Sequence, residues 1–262
     1  PFIEKFKDKV HWLNIYTYQI ISGPFIQKYK NEINWNYIVI YQKLSEPFIE
    51  KFEYNFNWYF ISKYQKLSEP FIEKFQNKVE WYYISIYQIL SESFIEKYQN
   101  YVDWLHICKY QKLSEQFIEK YQNQIDWILI SAYQELSEEF MIKNEDLIYY
   151  EIISEFQELS ESFIERYQDK LNWTWVSRFQ KLSESFIERN FDKVCLEYIT
   201  RYQELSEQFI EKYFDKLNWH NISESQKISE EFIKKYFENI DISKLFKNDK
   251  IEDGIKLRVF DL

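Results

Sequence analysis

The amino-acid sequence predicts an all-α protein, an α-solenoid formed by a superhelical stack of about eleven 23-residue helix–turn–helix repeats with a divergent C-terminal cap. Three observations carry that expectation. A large apolar residue returns every 23 positions, as Trp12, Trp35, Trp58, Trp81, Trp104, Trp127, Tyr150, Trp173, Leu196, Trp219 and Ile242, with no insertion or deletion. Each copy holds two helix-start signals. Between those signals the apolar residues fall at helical spacing.

The best copy, residues 113–135, shows both helices. Ser114 is an N-cap whose hydroxyl can accept from an orphan N–H of the first turn, and Leu113 with Ile118 forms a hydrophobic staple around it. Phe117, Ile118, Tyr121 and Ile125 then share one helical face. The grammar repeats at Asp126, a second cap, stapled by Ile125 and Ile130. Trp127, Ile130, Ser131 and Gln134 make the second face, which Leu129 and Tyr133 widen as expected for a helix packed on two sides. Elsewhere Pro24, Pro47 and Pro70 stand in the first turn of the first helix, where a missing N–H is no loss. Helices this short are marginal alone, so stacking must hold them.

Along the chain, the repeats are regular through Gln134. The next copy has Asn144 for the aromatic of Tyr121, Tyr149 for the Asp126 cap and Tyr150 for the tryptophan; a later copy has Asn190, Cys195 and Leu196 in the same slots. That coincidence predicts that a Tyr121-type ring packs on the Trp127-type indole of its own repeat, and that these two repeats are the weakest. The unbroken period makes residues 1–240 one elongated array, beginning without its Leu-Ser-Glu entry as if an initiator Met or a longer segment preceded Pro1. Residues 241–262 are the capping segment. There Asp253-Gly254 interrupts a helix start, and 255–260 alternate in polarity as a non-helical closure would.

Composition narrows the function classes. The net charge of −10 argues against non-specific nucleic-acid binding, which needs a basic surface. No apolar run approaches 18 residues, so no membrane span is expected. Two scattered cysteines, Cys108 and Cys195, fit a reducing compartment. Only 2 Gly occur, while Ile, Lys, Tyr, Phe and Asn, the residues of A/T-rich codons, are frequent.

Strings such as Leu113-Ser114-Glu115-Gln116-Phe117-Ile118 with Asp126-Trp127, repeated at this period over residues 1–240, resemble the repeat proteins of giant viruses of amoebae, the Marseillevirus and Mimivirus groups. The resemblance implies a virus-encoded member of a large paralogous family, found in the cytoplasm of the infected host or in the virion. It implies no catalytic residue.

The residues themselves point the same way. His11, His106 and His220 lie in different slots of distant repeats, no nucleophile–base–orienter set is present, and no catalytic, cofactor or metal site is expected. A cationic row (Lys97, Lys120, Arg166, Arg189 and their equivalents) has glutamates beside it that would cancel its field, so it reads as a solvated charge ladder. Variable positions on the second helix are better candidates. Tyr59, Tyr82, Ile86, Ile89, Leu105 and Ile128 give an apolar, tyrosine-containing surface of the kind that marks interfaces. A second candidate is Phe191, Phe214 and Phe237, unless the C-terminal tail covers them. The expected function is therefore a non-enzymatic repeat scaffold with a protein partner, or alternatively a structural, self-associating component.

Overall fold

A computed structural model describes residues 11–258. Among them every regular element is a helix, and helix pairs recur at the expected period. The chain is an α-solenoid that divides into two compact units, Pro1–Asp126 and Trp127–Leu262. Within each, a six-residue helix preceded by serine alternates with a helix, mostly of seven residues, led by tryptophan or by the Tyr150, Leu196 or Ile242 that replaces it. Glu92–Lys97 and Trp81–Tyr87 represent the two kinds in the first unit, Glu184–Arg189 and Trp173–Phe179 in the second.

The caps act as the sequence indicates. Ser91 Oγ accepts from the Phe94 N–H at 3.2 Å, and Asn172 Oδ1 accepts from Thr174 and Trp175 at 3.0 and 3.2 Å. Tyr149 and Cys195 make no side-chain cap bond, nor does Glu80, and Ser22 and Ser45 also fail to accept one. Tryptophan helices end abruptly because the glutamine after each turns to extended backbone, as at Gln88 with ψ 153°. No described residue has positive φ. The turns therefore do not need the left-handed glycine that closes many helices, which is how a chain with 2 Gly can make them.

Isoleucines such as Ile84, Ile95, Ile153 and Ile164 are fully buried where the helix kinds meet. Tryptophan helices pack on those of adjacent repeats, as Trp58–Tyr64 on Trp81–Tyr87 and Tyr150–Phe156 on Trp173–Phe179. The aromatic pairing differs from the sequence expectation. Tyr121 packs on Trp104 of the preceding repeat, ring centroids 5.0 Å apart, and Tyr98 likewise on Trp81 at 4.9 Å. A tryptophan thus reaches forward to the next serine helix. Asn144 and Asn190 stand in the slots that pair with Trp127 and Trp173, both intact, so their coincidence with Tyr150 and Leu196 does not report a lost pair. Each asparagine instead donates to a carbonyl of its own helix, Phe140 or Phe186.

Repeats are joined by a buried glutamine ladder. Gln88 Nε2 donates to the carbonyls of Ser62 and Gln65 at 3.0 and 2.8 Å, and its Oε1 accepts from the Leu67 N–H at 2.9 Å. Gln180 makes the same three bonds to Ser154, Gln157 and Leu159 in the second unit. These carbonyls close the preceding tryptophan helix and have no helical partner, so the amide satisfies groups that burial would otherwise leave unpaired. A serine ladder runs beside it: Ser177 Oγ accepts from the Cys195 N–H at 2.9 Å and donates to the Trp173 carbonyl. Ser131, fully buried, accepts in the same way from Tyr149. A third ladder uses the glutamate of Leu-Ser-Glu, with Glu161 Oε1 accepting from the Ser183 N–H of the next repeat at 2.6 Å.

The C-terminal end departs from the expected non-helical closure. Asp253–Arg258 is a helix, in register with the serine helices; the alternation of 255–258 is helix sequence, and 259–262 lie outside the described residues. Asn248 replaces the ladder glutamine and donates to Ser223 and Gln226 carbonyls at 3.0 and 2.8 Å. Arg258 takes up Glu230, which would otherwise await a following serine. The ladders end in bonds made within the chain.

Candidate functional site

The ladders determine which side of a tryptophan helix is left for a ligand. Its isoleucine, serine and terminal glutamine face inward, so the residues one, two, five, six and eight after the lead residue form the outer face. All six sequence candidates lie there. Ile89 is 94% exposed, Tyr82, Leu105 and Ile128 are about half exposed, and Tyr59 and Ile86 are half-buried. Tyr59 meets Tyr83 edge-on at 4.7 Å, and Tyr82 meets Tyr83 at 5.0 Å and His106 at 4.7 Å. Tyr83 therefore joins Tyr59 and Tyr82 into one aromatic cluster. Ile128 belongs to the second unit and the other five to the first.

A fixed row of rings was not anticipated as surface. Tyr41, Tyr64, Tyr87 and Tyr110 in the first unit, and Tyr133, Phe156, Phe179 and Tyr202 in the second, are all half exposed. This position belonged to the stripe expected to be covered from two sides. The only signal in the sequence was that the ring persists in a slot adjoining the variable ones.

Cations lie over several of these rings. Lys63 Nζ is 5.2 Å from the Tyr64 centroid, 5.6 Å from Tyr83 and 5.9 Å from Tyr59. Desolvation opposes its charge, but a hydrogen bond with the Tyr64 hydroxyl and the surrounding phenols prevail, and its pKa is raised. The hydrogen bond with Tyr59, followed by desolvation, pushes Tyr83 up to about 12, so this phenol keeps its proton. The face thus presents hydroxyls, ring edges and ammonium groups.

The remaining candidates have structural partners. His106 Nδ1 bonds to Asp103 at 2.9 Å, while Cys108 is fully buried in the serine slot. The cationic row pairs across repeats: Lys97 with Glu73 at 2.5 Å, Arg189 with Glu165 at 3.0 Å, Lys212 with Glu188 at 2.8 Å, and Lys74 with Glu50. Phe191 stacks on Tyr213 at 4.5 Å, and Phe214 packs on Trp219 and Tyr236, so both belong to the aromatic ladder; Phe237 is exposed. No described helix is long and apolar enough to cross a membrane. No protein-family model, curated protein or solved structure matches the chain.

Proposed function

We propose that this chain is a repeat scaffold that binds another protein through the outer face of its tryptophan helices and has no catalytic activity of its own. The observation that carries this reading is the row of half-exposed rings, present in every repeat from Tyr41 to Tyr202, flanked by positions that change: Tyr59, Tyr82, Leu105 and Ile128 in the middle, Glu151, Thr174 and Glu197 later. Constant rings supply contact area and variable neighbours supply selectivity, the division of labour found on interface surfaces. Nucleic acid is disfavoured as the partner by the net charge of −10 and by the pairing of the cationic row. Both cysteines are free, which suits a reducing compartment. On the resemblance to giant-virus repeat proteins, the partner to look for is one of the infected cytoplasm or the virion. The test is affinity capture from infected cells and from purified virions, comparing the chain with a Tyr82→Ser/Leu105→Ser variant. A stoichiometric partner lost with the variant supports the reading. Capture unchanged by the variant sinks it.

The alternative, a structural and self-associating component, is favoured by one observation of its own: clusters of opposite charge, without an ion pair among the described residues, at the same repeat positions in each unit.

A further inference from the structure

The cationic row is paired from one repeat to the next, and two clusters of like charge on the tryptophan helices are not. In the first unit Lys43, Lys63 and Lys66 surround the exposed rings Tyr41 and Tyr64 and form no ion pair among the described residues. Lys43 and Lys66 are exposed, and Lys63 lies over tyrosine rings. Carboxylates on the following turns do not neutralise them by contact: Glu46 is bonded to the Ser68 backbone and hydroxyl, and Glu69 to the Ser91 N–H. In the second unit the repeat led by Tyr150 carries Glu151, Glu155 and Glu158 around the exposed Phe156, and these three also form no ion pair among the described residues. Lys63 and Lys66 occupy the same repeat positions as Glu155 and Glu158, five and eight after the lead residue. The two patches are the same piece of surface in opposite sign, each centred on a half-exposed aromatic.

We propose that the Lys63 patch of one copy docks on the Glu155 patch of a second copy. The inference rests on the reading that the tryptophan-helix face is a docking surface, and it names this chain as an occupant of that face. Ring-to-ring contact between Tyr64 and Phe156 supplies apolar burial, and the flanking ammonium and carboxylate groups set register and exclude the like-charged pairing. Because the charges are at the surface, the association falls as salt shortens the screening length to about 8 Å at physiological ionic strength.

Sedimentation velocity on the full chain tests this by charge exchange. Wild type should associate reversibly, more weakly as salt is raised. Lys63→Glu/Lys66→Glu leaves two acidic patches and Glu155→Lys/Glu158→Lys leaves two basic ones, so each variant alone should associate about tenfold more weakly or not at all. Mixed in equal amounts they should form heterodimers, a rescue that damaged folding cannot produce; circular dichroism melts confirm that both are folded. Wild type that stays monomeric at low salt overturns the proposal, as do variants that associate like wild type or a mixture that fails to. A monomeric wild type that still captures a partner sensitive to Tyr82→Ser/Leu105→Ser would remove the self-contact and leave the scaffold reading standing.

Discussion

Replacing Gln180 with leucine tests whether the glutamine ladder holds the repeats together. Gln180 is 4% exposed, and its amide bonds to the carbonyls of Ser154 and Gln157 and the N–H of Leu159 at 2.8 to 3.0 Å. Leucine fits the volume but leaves three buried backbone groups without a partner. Each such group costs about 1–3 kcal/mol, so the loss should be at least about 3 kcal/mol, reduced where water enters. That is a large part of the roughly 5–15 kcal/mol that a folded domain has in total. Gln180→Glu is the sharper variant because it keeps the shape. Protonated, a glutamic acid can still donate one bond to a carbonyl; ionised, it sets an anion against two carbonyl oxygens. Its folded pKa must therefore rise above the unfolded value of about 4.3. With both states protonated at low pH the electrostatic penalty is absent, and it grows as pH rises through the interval between unfolded and folded pKa. Thermal melts of Gln180→Glu should thus fall short of wild type near pH 4 only by the one carbonyl left without a donor, and drop well further below it at pH 7, and hydrogen exchange of the Leu159 amide should quicken. If Gln180→Leu melts with wild type, or Gln180→Glu shows no pH dependence relative to it, the ladder does not hold the repeats and the argument from buried backbone fails.

Two further outcomes are expected. Burial pushes the Cys108 thiol up to about 11, so at pH 8 roughly a thousandth of it is thiolate, and iodoacetamide should label Cys195 in the native protein but Cys108 only after unfolding. Because the unfolded thiol ionises before the folded one, Cys108 should also reduce stability as pH rises from about 9 towards 11, a loss that Cys108→Ser removes. Lys97 donates to Glu73 across a solvated surface, and Lys97→Ala should leave the melting temperature unchanged within error, whereas Ser177→Ala, which orphans the Cys195 N–H, should lower it.

The period, the helix pairs and most caps were legible because each is a local property: a serine or asparagine followed by an apolar spacing has one low-energy arrangement. The ladders were not, since every bond of the Gln180 side chain crosses to a residue 21 to 26 positions away, and no local rule states why a polar side chain persists in a buried stripe. Gln134 and Ser131 were legible as members of the inward face, and the periodicity gave no reason for their chemistry. The aromatic pairing was misread for a related reason: covariation within a repeat shows that slots change together, without showing which neighbouring repeat supplies the contact. At the candidate face, sequence separates variable positions from constant ones but cannot tell a constant surface ring from a constant core ring. Tyr64 and Tyr121 look equivalent in that respect, yet one is half exposed and the other buried.

The repeat led by Leu196 shows how a lost tryptophan is offset. In an intact repeat the indole packs on the ring 17 residues later, as Trp104 does on Tyr121, and for Leu196 that ring is Tyr213. Tyr213 is stacked instead by Phe191, at 4.5 Å and 23°, five residues before Leu196. The next repeat has both devices at once, with Phe214 and Trp219 each packed on Tyr236 at 5.4 Å. Leu196→Trp should therefore be accommodated without any change at residue 190, whose slot serves Trp173. Phe191→Ala in the natural chain should remove the one ring that, among the described residues, packs on Tyr213 from outside its own helix, losing a ring pair of about 0.5–1.5 kcal/mol and the area beneath it. In the Leu196→Trp background the new indole takes over Tyr213, and the same substitution should cost less. A double-mutant cycle on thermal or urea unfolding measures this directly, with a coupling of about 1 kcal/mol expected between positions 191 and 196. Additive effects would mean that Phe191 does not stand in for the missing tryptophan, and that the repeat tolerates Leu196 because its backbone ladders suffice.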